Sequence, residues 1–225
     1  YNQNGSPFSD ARLLGDYNGS GTGFAIRATS SGDLQLDLQG ASGSATSTRA
    51  VTFDGTWQHV AITFDSATNQ YQWHFNGSAG TTGSFTGGNI NTSNPLRMGA
   101  VDLSSGDFDG QLDDVRLYTR ELTSSDVGEL YALGADITSN LFAHYEFEEN
   151  GGATVTDSTA NNNDGSWTNA PSWSGDSAVG TYSMDFASDV GGSQAFVSVP
   201  DDASIDIDGD FAFSFWYNSS TAPSS

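Results

Sequence analysis

The sequence predicts an all-β fold, either an antiparallel sandwich or a barrel. Short runs in which apolar and polar residues alternate recur along the chain, and Gly, Ser, Asn and Asp separate them. Such alternation is typical of strands with one buried face. With 36% hydrophobic and 12% aromatic residues, the 225 residues can bury a sizeable core. The predicted strands are Phe24–Thr29, Leu34–Leu38, Arg49–Phe53, Trp57–Asp65, Gln70–Asn76, Leu96–Ala100 and Gln111–Tyr118, then Leu141–Glu148, Thr181–Phe186, Gln194–Val199 and Phe211–Tyr217.

The clearest local unit is a hairpin formed by the fourth and fifth of these strands. Folding the two runs on each other around the turn after Asp65 gives one wholly apolar face, which we expect to lie in the core. The facing pairs are then Val60 with Phe75, Ile62 with Trp73, and Phe64 with Tyr71. His59 and His74 point to the other face, where we expect solvated polar residues.

One short helix is predicted near residues 124–133. Thr123 offers a capping hydroxyl and Asp126 follows three residues later, which is typical of a capping box. An apolar stripe starts at Val127, and Gly134 is a suitable C-terminal residue. This helix is expected to be a single cover on an otherwise all-β fold.

Composition and charge exclude several classes of partner. The net charge is -22 and the chain has six Arg and no Lys, whereas nucleic acid and anionic membrane surfaces need a positively charged partner. The absence of Cys excludes disulfides, thiolate metal sites and Cys nucleophiles. No apolar run approaches the length of about 18 residues that membrane insertion needs. Divalent cations are the expected counter-charge, unless the carboxylates serve only solubility.

Motifs from several parts of the chain point to one family. They are Trp57–Asp65 with Tyr71–Gly77; Pro95–Gly99 with Phe108–Tyr118 and Arg120–Thr123; and Tyr145–Glu149, Asp157–Gly165, Met184–Phe186, Val197–Asp201 and Phe211–Trp216. Together these residues resemble the laminin G-like jelly-roll domains of the concanavalin A-like lectin and glucanase superfamily. The resemblance implies a two-sheet antiparallel jelly-roll sandwich.

These motifs stand in an inverted order relative to the family. The resemblance assigns residues 1–134 to the C-terminal part of the sandwich, residues 135–140 to a linker, and residues 141–225 to the N-terminal part. Three explanations stay open: a permuted single domain, one period of a tandem repeat, and halves exchanged head to tail between neighbouring subunits. A half sandwich would expose its apolar face, so a complementary half must be present.

Calcium is the predicted cofactor, in a structural role. It takes about six to eight oxygen ligands, and the loop 157–165 offers many of them. The resemblance implies an ion where this loop meets the strand that carries Asp113. We expect Asp113 on the same face as Val115, where an unpaired carboxylate is costly, and a salt bridge to Arg116 or Arg120 is the alternative. The predicted metal ligands are Asp113, Asp157, Glu148, Asn162 and Asp164.

Two further loops supply candidates for contact with a ligand. The acidic loop at residues 102–109 lies where the resemblance implies a ligand-bridging calcium. The Gly- and Ser-rich segment at 167–173 carries two tryptophans that we expect to be exposed and able to stack on a sugar ring, whereas Trp57, Trp73 and Trp216 are expected in the core. The candidate ligand-binding residues are Asp102, Asp107, Asp109, Trp167 and Trp173.

No catalytic site is predicted. The acidic strand Glu146–Glu149 lacks the Glu-x-Asp-x-x-Glu spacing of laminarinase-type glycosidases, and no Gly-x-Ser-x-Gly elbow accompanies the three His residues. The chain is therefore predicted to be non-enzymatic, with glycoside hydrolysis as a remaining alternative.

The inverted order of the motifs favours a structural or adhesion module outside the cell or at its surface. Such a module would be a repeat, or a head-to-tail exchanged subunit, of a larger filament or adhesin, and its partners would be adjacent repeats or copies of itself. The superfamily resemblance and the acidic loops favour a second hypothesis, a calcium-dependent carbohydrate-binding module with glycans as partners.

Overall fold

The computed structural model describes residues 11–16, 23–38, 41, 44–50, 52–85, 94–100, 108–133, 136–186, 194–207 and 209–220. Within these ranges the strands form two antiparallel sheets of eight strands each, accompanied by one α-helix. The predicted all-β, two-sheet jelly-roll sandwich is confirmed. None of the helices in these ranges has the length and apolar character needed to span a membrane.

The strands are numbered in chain order, and each sheet mixes strands from distant parts of the chain. The spatial order in the first sheet is β11 (Thr154–Val155), β12 (Gly165–Thr168), β15 (Phe196–Val199), β8 (Leu96–Met98), β1 (Ala11–Gly15), β2 (Phe24–Ala28), β3 (Asp33–Leu38) and β4 (Ser44–Ala50). The order in the second sheet is β13 (Ser172–Ser174), β14 (Ser183–Phe186), β9 (Gly110–Tyr118), β16 (Phe211–Asn218), β5 (Gln58–Asp65), β6 (Gln70–Phe75) and β7 (Ser78–Ser84). Strand β10 (Leu141–Tyr145) also pairs with β9, helix α1 is Ser124–Tyr131, and a 3-10 turn covers Ala203–Ile205.

The main hydrophobic core lies between the sheets and contains side chains from both segments, 1–134 and 141–225. Strand β16 lies between β5 and β9, and β15 pairs with β8, so strand ladders join the two segments in both sheets. Phe213 of β16 stacks on Phe24 of β2 with ring centroids 4.6 Å apart. In this structure the two segments therefore share one interior.

The predicted hairpin is confirmed in its register. Strands β5 and β6 pair Val60 with Phe75, Ile62 with Trp73 and Phe64 with Tyr71, and all six side chains are buried. The aromatic and β-branched pairs on this face stabilise the ladder and cover the core at the same time.

The outer face of this hairpin is also buried, so the prediction that His59 and His74 are solvated is wrong. Their exposed fractions are 1% and 0%. Helix α1 packs Val127 and Leu130 over Ala61 and closes a second apolar cluster on this face. Burial lowers the pKa of His59 to about 4. Strand alternation indicates which residues share a face, but it does not reveal which element covers that face.

The N-terminus of α1 forms the predicted capping box. The Thr123 hydroxyl accepts a hydrogen bond from the Asp126 backbone N–H at 3.1 Å, and the Asp126 carboxylate accepts one from the Thr123 N–H at 3.0 Å. Two otherwise unsatisfied backbone donors are thereby paired, which fixes where the helix begins. Gly134, the predicted end, lies outside the described residues.

Candidate functional site

Asp113 lies next to a β-bulge in β9. Asp114 adopts a left-handed backbone with φ 48°, and the register with β16 shifts at this point. Leu112, rather than Asp113, therefore shares the main core with Val115, and Asp113 lies opposite Trp216 on the outer face. The expectation that Asp113 faces the core is wrong, because the bulge adds one residue and reverses the alternation.

The Asp113 carboxylate is nevertheless fully buried, with 0% exposure. Its Oδ2 atom accepts hydrogen bonds from the backbone N–H groups of Ala178 and Val179, both at 2.8 Å. Its Oδ1 atom has no hydrogen-bond partner among the described residues. Burial raises the pKa of Asp113 to about 7, although the two backbone hydrogen bonds act in the opposite direction.

The two arginines considered as partners of Asp113 bind other carboxylates. Arg116 Nε lies 3.0 Å from Asp114 Oδ1. Arg120 Nη1 lies 2.9 Å from Asp126 Oδ2. The salt-bridge alternative for Asp113 therefore finds no support in the described ion pairs.

Glu148 anchors the same loop that Asp113 holds. Its Oε1 atom accepts backbone hydrogen bonds from Thr181 at 2.8 Å and Tyr182 at 3.1 Å. Gly180, with φ 66°, lies between the two anchor points, and a side chain there would collide with Glu148. The predicted metal ligands Asp113 and Glu148 therefore both accept hydrogen bonds from backbone N–H groups of residues 178–182.

Asp157, Asp164 and Asn162 form a separate group. The Asp157 carboxylate accepts hydrogen bonds from the backbone N–H groups of His144, Thr159 and Asn163 and from the Thr159 hydroxyl, at 2.9–3.0 Å. Asp164 Oδ1 accepts from the Asp157 N–H at 2.9 Å, and the exposed Asn162 donates to the Ala160 carbonyl at 2.8 Å.

The five predicted metal ligands therefore do not converge on one point. Within the described ranges, no three His, Cys, Asp or Glu side chains lie together in a way that could hold a metal ion. The Asp157 carboxylate oxygens that calcium would need already accept hydrogen bonds from backbone N–H groups. These residues do not fit a calcium cage as arranged, and calcium stays a prediction.

Trp167 and Trp173 pack against the main core and are half-buried, so the expectation that they are exposed is wrong. Their register partners, Val197 and Met184, are fully buried core residues, which places both indoles on the core side of their sheets. The strands β12 and β13 that carry them were not predicted from the sequence. Their role in sugar stacking stays a prediction.

The acidic loop at residues 102–109 is described only at its end. Asp109 is half-buried just before β9, and its backbone carbonyl accepts the Ser219 hydroxyl at 2.5 Å. Asp102 and Asp107 lie outside the described residues.

A polar network, which we call the Asp176 network, joins Trp57, Gln111, Ser174, Asp176 and Asn218. Asp176 accepts hydrogen bonds from Trp57 Nε1 at 3.1 Å and from Asn218 Nδ2 at 3.4 Å. Asn218 Nδ2 also lies 3.2 Å from Gln111 Oε1, and Gln111 Nε2 donates to Ser174 Oγ at 2.7 Å. Asp176 is exposed, and Trp57, Gln111 and Ser174 are half-buried. The network therefore presents one aromatic ring and several oriented polar groups at the surface.

Sequence reasoning missed this network because it joins residues that are distant in the chain. The sequence predicts Trp57 in the core, but Trp57 is half-buried just before β5 and donates a hydrogen bond to Asp176, which is 119 residues away. Neighbouring Asp185 is half-buried, and burial followed by the charge of Asp109 raises the pKa of its carboxyl group. No local signal in the sequence brings these residues together.

A small cleft between the two sheets is a poor ligand site. It is lined by Phe24 and Leu96 of one sheet, by Leu117 of the other, and by the acidic residues Asp201 and Asp206. Its interior has room for about one water molecule. A ligand as large as a sugar ring would therefore bind to an open surface rather than in this cleft.

The fold is an all-β sandwich. The Asp176 network gives this sandwich a surface with oriented polar groups and one aromatic ring. The profile of Laminin_G_3, described as "Concanavalin A-like lectin/glucanases superfamily", matches residues 3–128, which is more than half of the chain. The chain belongs to this family.

A solved structure extends the likeness in fold. A crystal structure at 1.50 Å resolution of a "putative carbohydrate binding protein" from Bacteroides ovatus ATCC 8483 is similar, with a TM-score of 0.52 and 18% identity. The similarity covers 71% of this chain and 52% of that protein, so the chain corresponds to about half of its length. At this identity the likeness concerns the fold. No curated protein matches the chain.

Proposed function

We propose that the chain is a carbohydrate-binding module and that the Asp176 network is its glycan-contacting surface. The observation that carries this proposal is the half-buried Trp57, whose indole is fixed by its hydrogen bond to Asp176 beside the amides of Gln111 and Asn218. A sugar ring has an apolar face that packs on an aromatic ring, and its hydroxyl groups bind oriented amides and carboxylates.

The network is already ordered without a ligand, which supports this role. Asn218 is 7% exposed and its amide nitrogen lies within hydrogen-bond distance of both Gln111 and Asp176. Ser174 accepts from Gln111 and from the Asp176 backbone N–H at 3.1 Å. Side chains held in this way lose little conformational entropy on binding, which favours affinity.

The charge of the chain favours neutral glycans. With a net charge of -22 and no Lys, the protein repels sulfated and uronic-acid polymers. Three of the six Arg side chains, at positions 27, 116 and 120, form ion pairs with carboxylates. A neutral oligosaccharide avoids this repulsion and still satisfies the polar network.

Replacing Trp57 with alanine is expected to weaken glycan binding at least about tenfold, or about 1.4 kcal/mol, because the stacking surface is removed. The measurement is an array of neutral and sulfated glycans, followed by calorimetry on the best neutral ligand. Tyr131→Ala is the matched control, because Tyr131 is a 40% exposed aromatic residue on α1 and lies outside the network.

The outcomes separate the hypotheses for this surface. Unchanged glycan affinity in Trp57→Ala would contradict the proposed site. If glycan affinity is lost only in Trp167→Ala, the binding site lies on β12 instead. An array without any bound glycan would overturn the proposed function. Release of shorter oligosaccharides would instead support the glycoside hydrolase alternative.

We also propose that this module works outside the cell as a structural or adhesive unit in which segments 1–134 and 141–225 pair between neighbouring subunits. The inverted order of the motifs motivates this idea, and since a second copy offers the same strands, the pairing of β16 with β5 and β9 that occurs within one chain can also form between two chains. Light scattering is expected to give multiples of the 23.6 kDa chain mass. A monodisperse species of 23.6 kDa that unfolds in one transition would contradict the exchange of segments between subunits. It would instead support a permuted single domain that closes within one chain.

A further inference from the structure

Four side chains outside the Asp176 network form a hydrogen-bonded chain that ends at the surface. Ser158 Oγ lies 3.0 Å from His144 Nδ1, and His144 Nε2 lies 2.7 Å from Asp114 Oδ1. Arg116 Nε contacts both oxygens of Asp114, at 3.0 and 3.2 Å. Ser158 is exposed, whereas His144 and Asp114 are 5% and 4% exposed. The arrangement connects a surface hydroxyl to a buried imidazole and carboxylate.

The buried end of this chain determines which nitrogen of His144 carries the hydrogen. Asp114 is paired with Arg116, whose Nε contacts both carboxylate oxygens, and such an ion pair favours the carboxylate form of Asp114. An ionised carboxylate can only accept, so His144 Nε2 donates to Asp114. In the neutral imidazole, Nδ1 then has a free lone pair and accepts the Ser158 hydroxyl hydrogen. The Ser158 hydroxyl also lies 3.3 Å from the His144 carbonyl oxygen, which is a competing acceptor.

The loop around Ser158 is held on both sides. The Asp157 carboxylate accepts from the His144 N–H at 2.9 Å and from the Thr159 N–H at 3.0 Å, and the Ser158 N–H donates to the His144 carbonyl at 2.9 Å. Asp114, at the other end, has the left-handed backbone of the β9 bulge, a conformation that costs energy for a residue other than Gly. This framework positions the hydroxyl and the imidazole before any substrate arrives.

We propose that Ser158 is an activated nucleophile that takes an acyl group from a small ester, with His144 as the general base and Asp114 as a positioning residue. Ser158 Oγ forms a bond to the ester carbonyl carbon while its proton passes to His144 Nδ1. The carbon–oxygen bond to the alcohol then breaks, and the alcohol leaves with that proton. Water then attacks the carbonyl carbon of the acyl-serine and gives a proton to His144 Nδ1. As the bond between this carbon and Ser158 Oγ breaks, His144 returns the proton to Ser158 Oγ and the carboxylic acid is released. Since Ser158 is exposed, an acetyl ester on a larger molecule can reach it.

The test is covalent labelling of the intact chain with a fluorophosphonate, read by peptide mass spectrometry. Attack by Ser158 forms an oxygen–phosphorus bond and releases fluoride, so one adduct per chain is expected on the peptide that contains Ser158. Ser166 is the matched control, because it is an exposed serine on β12 for which no described histidine contact exists. We expect at least a tenfold faster modification of Ser158 than of Ser166, since a positioned base contributes about 100-fold or more.

Two variants separate activation from mere exposure. Ser158→Ala is expected to abolish the adduct, and His144→Gln to slow it at least about tenfold while Ser158 stays in place. Hydrolysis of p-nitrophenyl acetate should fall in parallel in both. Equal modification of Ser158 and Ser166, or the absence of any adduct after prolonged exposure, would overturn the proposal in the wild-type chain, even if His144→Gln does not fold.

Discussion

Replacing Phe213 with alanine is expected to lower the free energy of unfolding by about 3–5 kcal/mol. Phe213 has 0% exposure, stacks on Phe24 of the opposite sheet at 4.6 Å, and also contacts Phe211 at 5.0 Å between ring centroids. Truncation removes buried apolar surface and leaves a cavity between the sheets. Urea unfolding followed by tryptophan fluorescence measures the change.

The control for this prediction is Leu133→Ala. Leu133 follows α1 and is 55% exposed, so its replacement should change stability by less than about 0.5 kcal/mol. If Phe213→Ala were as stable as this control, β16 would not be packed against β2, and the shared interior of the two segments would be contradicted.

Replacing Asp113 with asparagine is expected to stabilise the protein at alkaline pH. The pKa of Asp113 is raised from 3.8 to about 7, because the ionised form is buried without a positive partner in the described residues. A raised pKa contributes stability that is fully present below about pH 4 and is lost as the pH rises through 7. Asparagine stays neutral and can accept the same two N–H groups. Relative to the wild type, the variant should therefore gain up to about 4 kcal/mol between pH 4 and pH 8.

Thermal unfolding across this pH range measures the effect, with Glu129→Gln as the control for an exposed carboxylate on α1. A constant stability difference between Asp113→Asn and the wild type would contradict the prediction. The same samples test calcium, which could neutralise Asp113 in place of a proton. Stabilisation of the wild type by calcium at pH 8, absent in Asp113→Asn and reversed by chelation, would support the predicted ion, and no stabilisation would exclude it at this residue.

The sequence predicts the strands with an apolar face well, because that face is visible as alternation, whereas the predicted strand Arg49–Phe53 overlaps β4 (Ser44–Ala50) by only two residues. The predicted residue pairs of the hairpin β5–β6 are confirmed, and so is the predicted capping box of Thr123 and Asp126. Strands such as β7 (Ser78–Ser84) and β13 (Ser172–Ser174) were missed, because they consist largely of small polar residues and bury little of their own surface. Their pairing depends on neighbouring strands rather than on local pattern.

The candidate site was predicted less well than the fold. Alternation predicts Asp113 in the core, but the left-handed Asp114 reverses the face, and the sequence does not distinguish this Asp from one with an extended backbone. The hydrogen bonds between Trp57 and Asp176 and between His144 and Asp114 form only when the second sheet is assembled. Contacts of this kind depend on register between distant strands, which local sequence does not encode.

The position of β16 has a consequence for biosynthesis. His59 of β5 and Ser214 of β16, which are hydrogen-bonded neighbours on the outer face, are 155 residues apart in the chain. Until residue 218 has left the ribosome, β5 and β9 each present an open edge with nothing between them. Such non-local pairing slows folding and prolongs the exposure of nascent edges. Chaperone capture during translation is therefore expected to last until β16 is inserted.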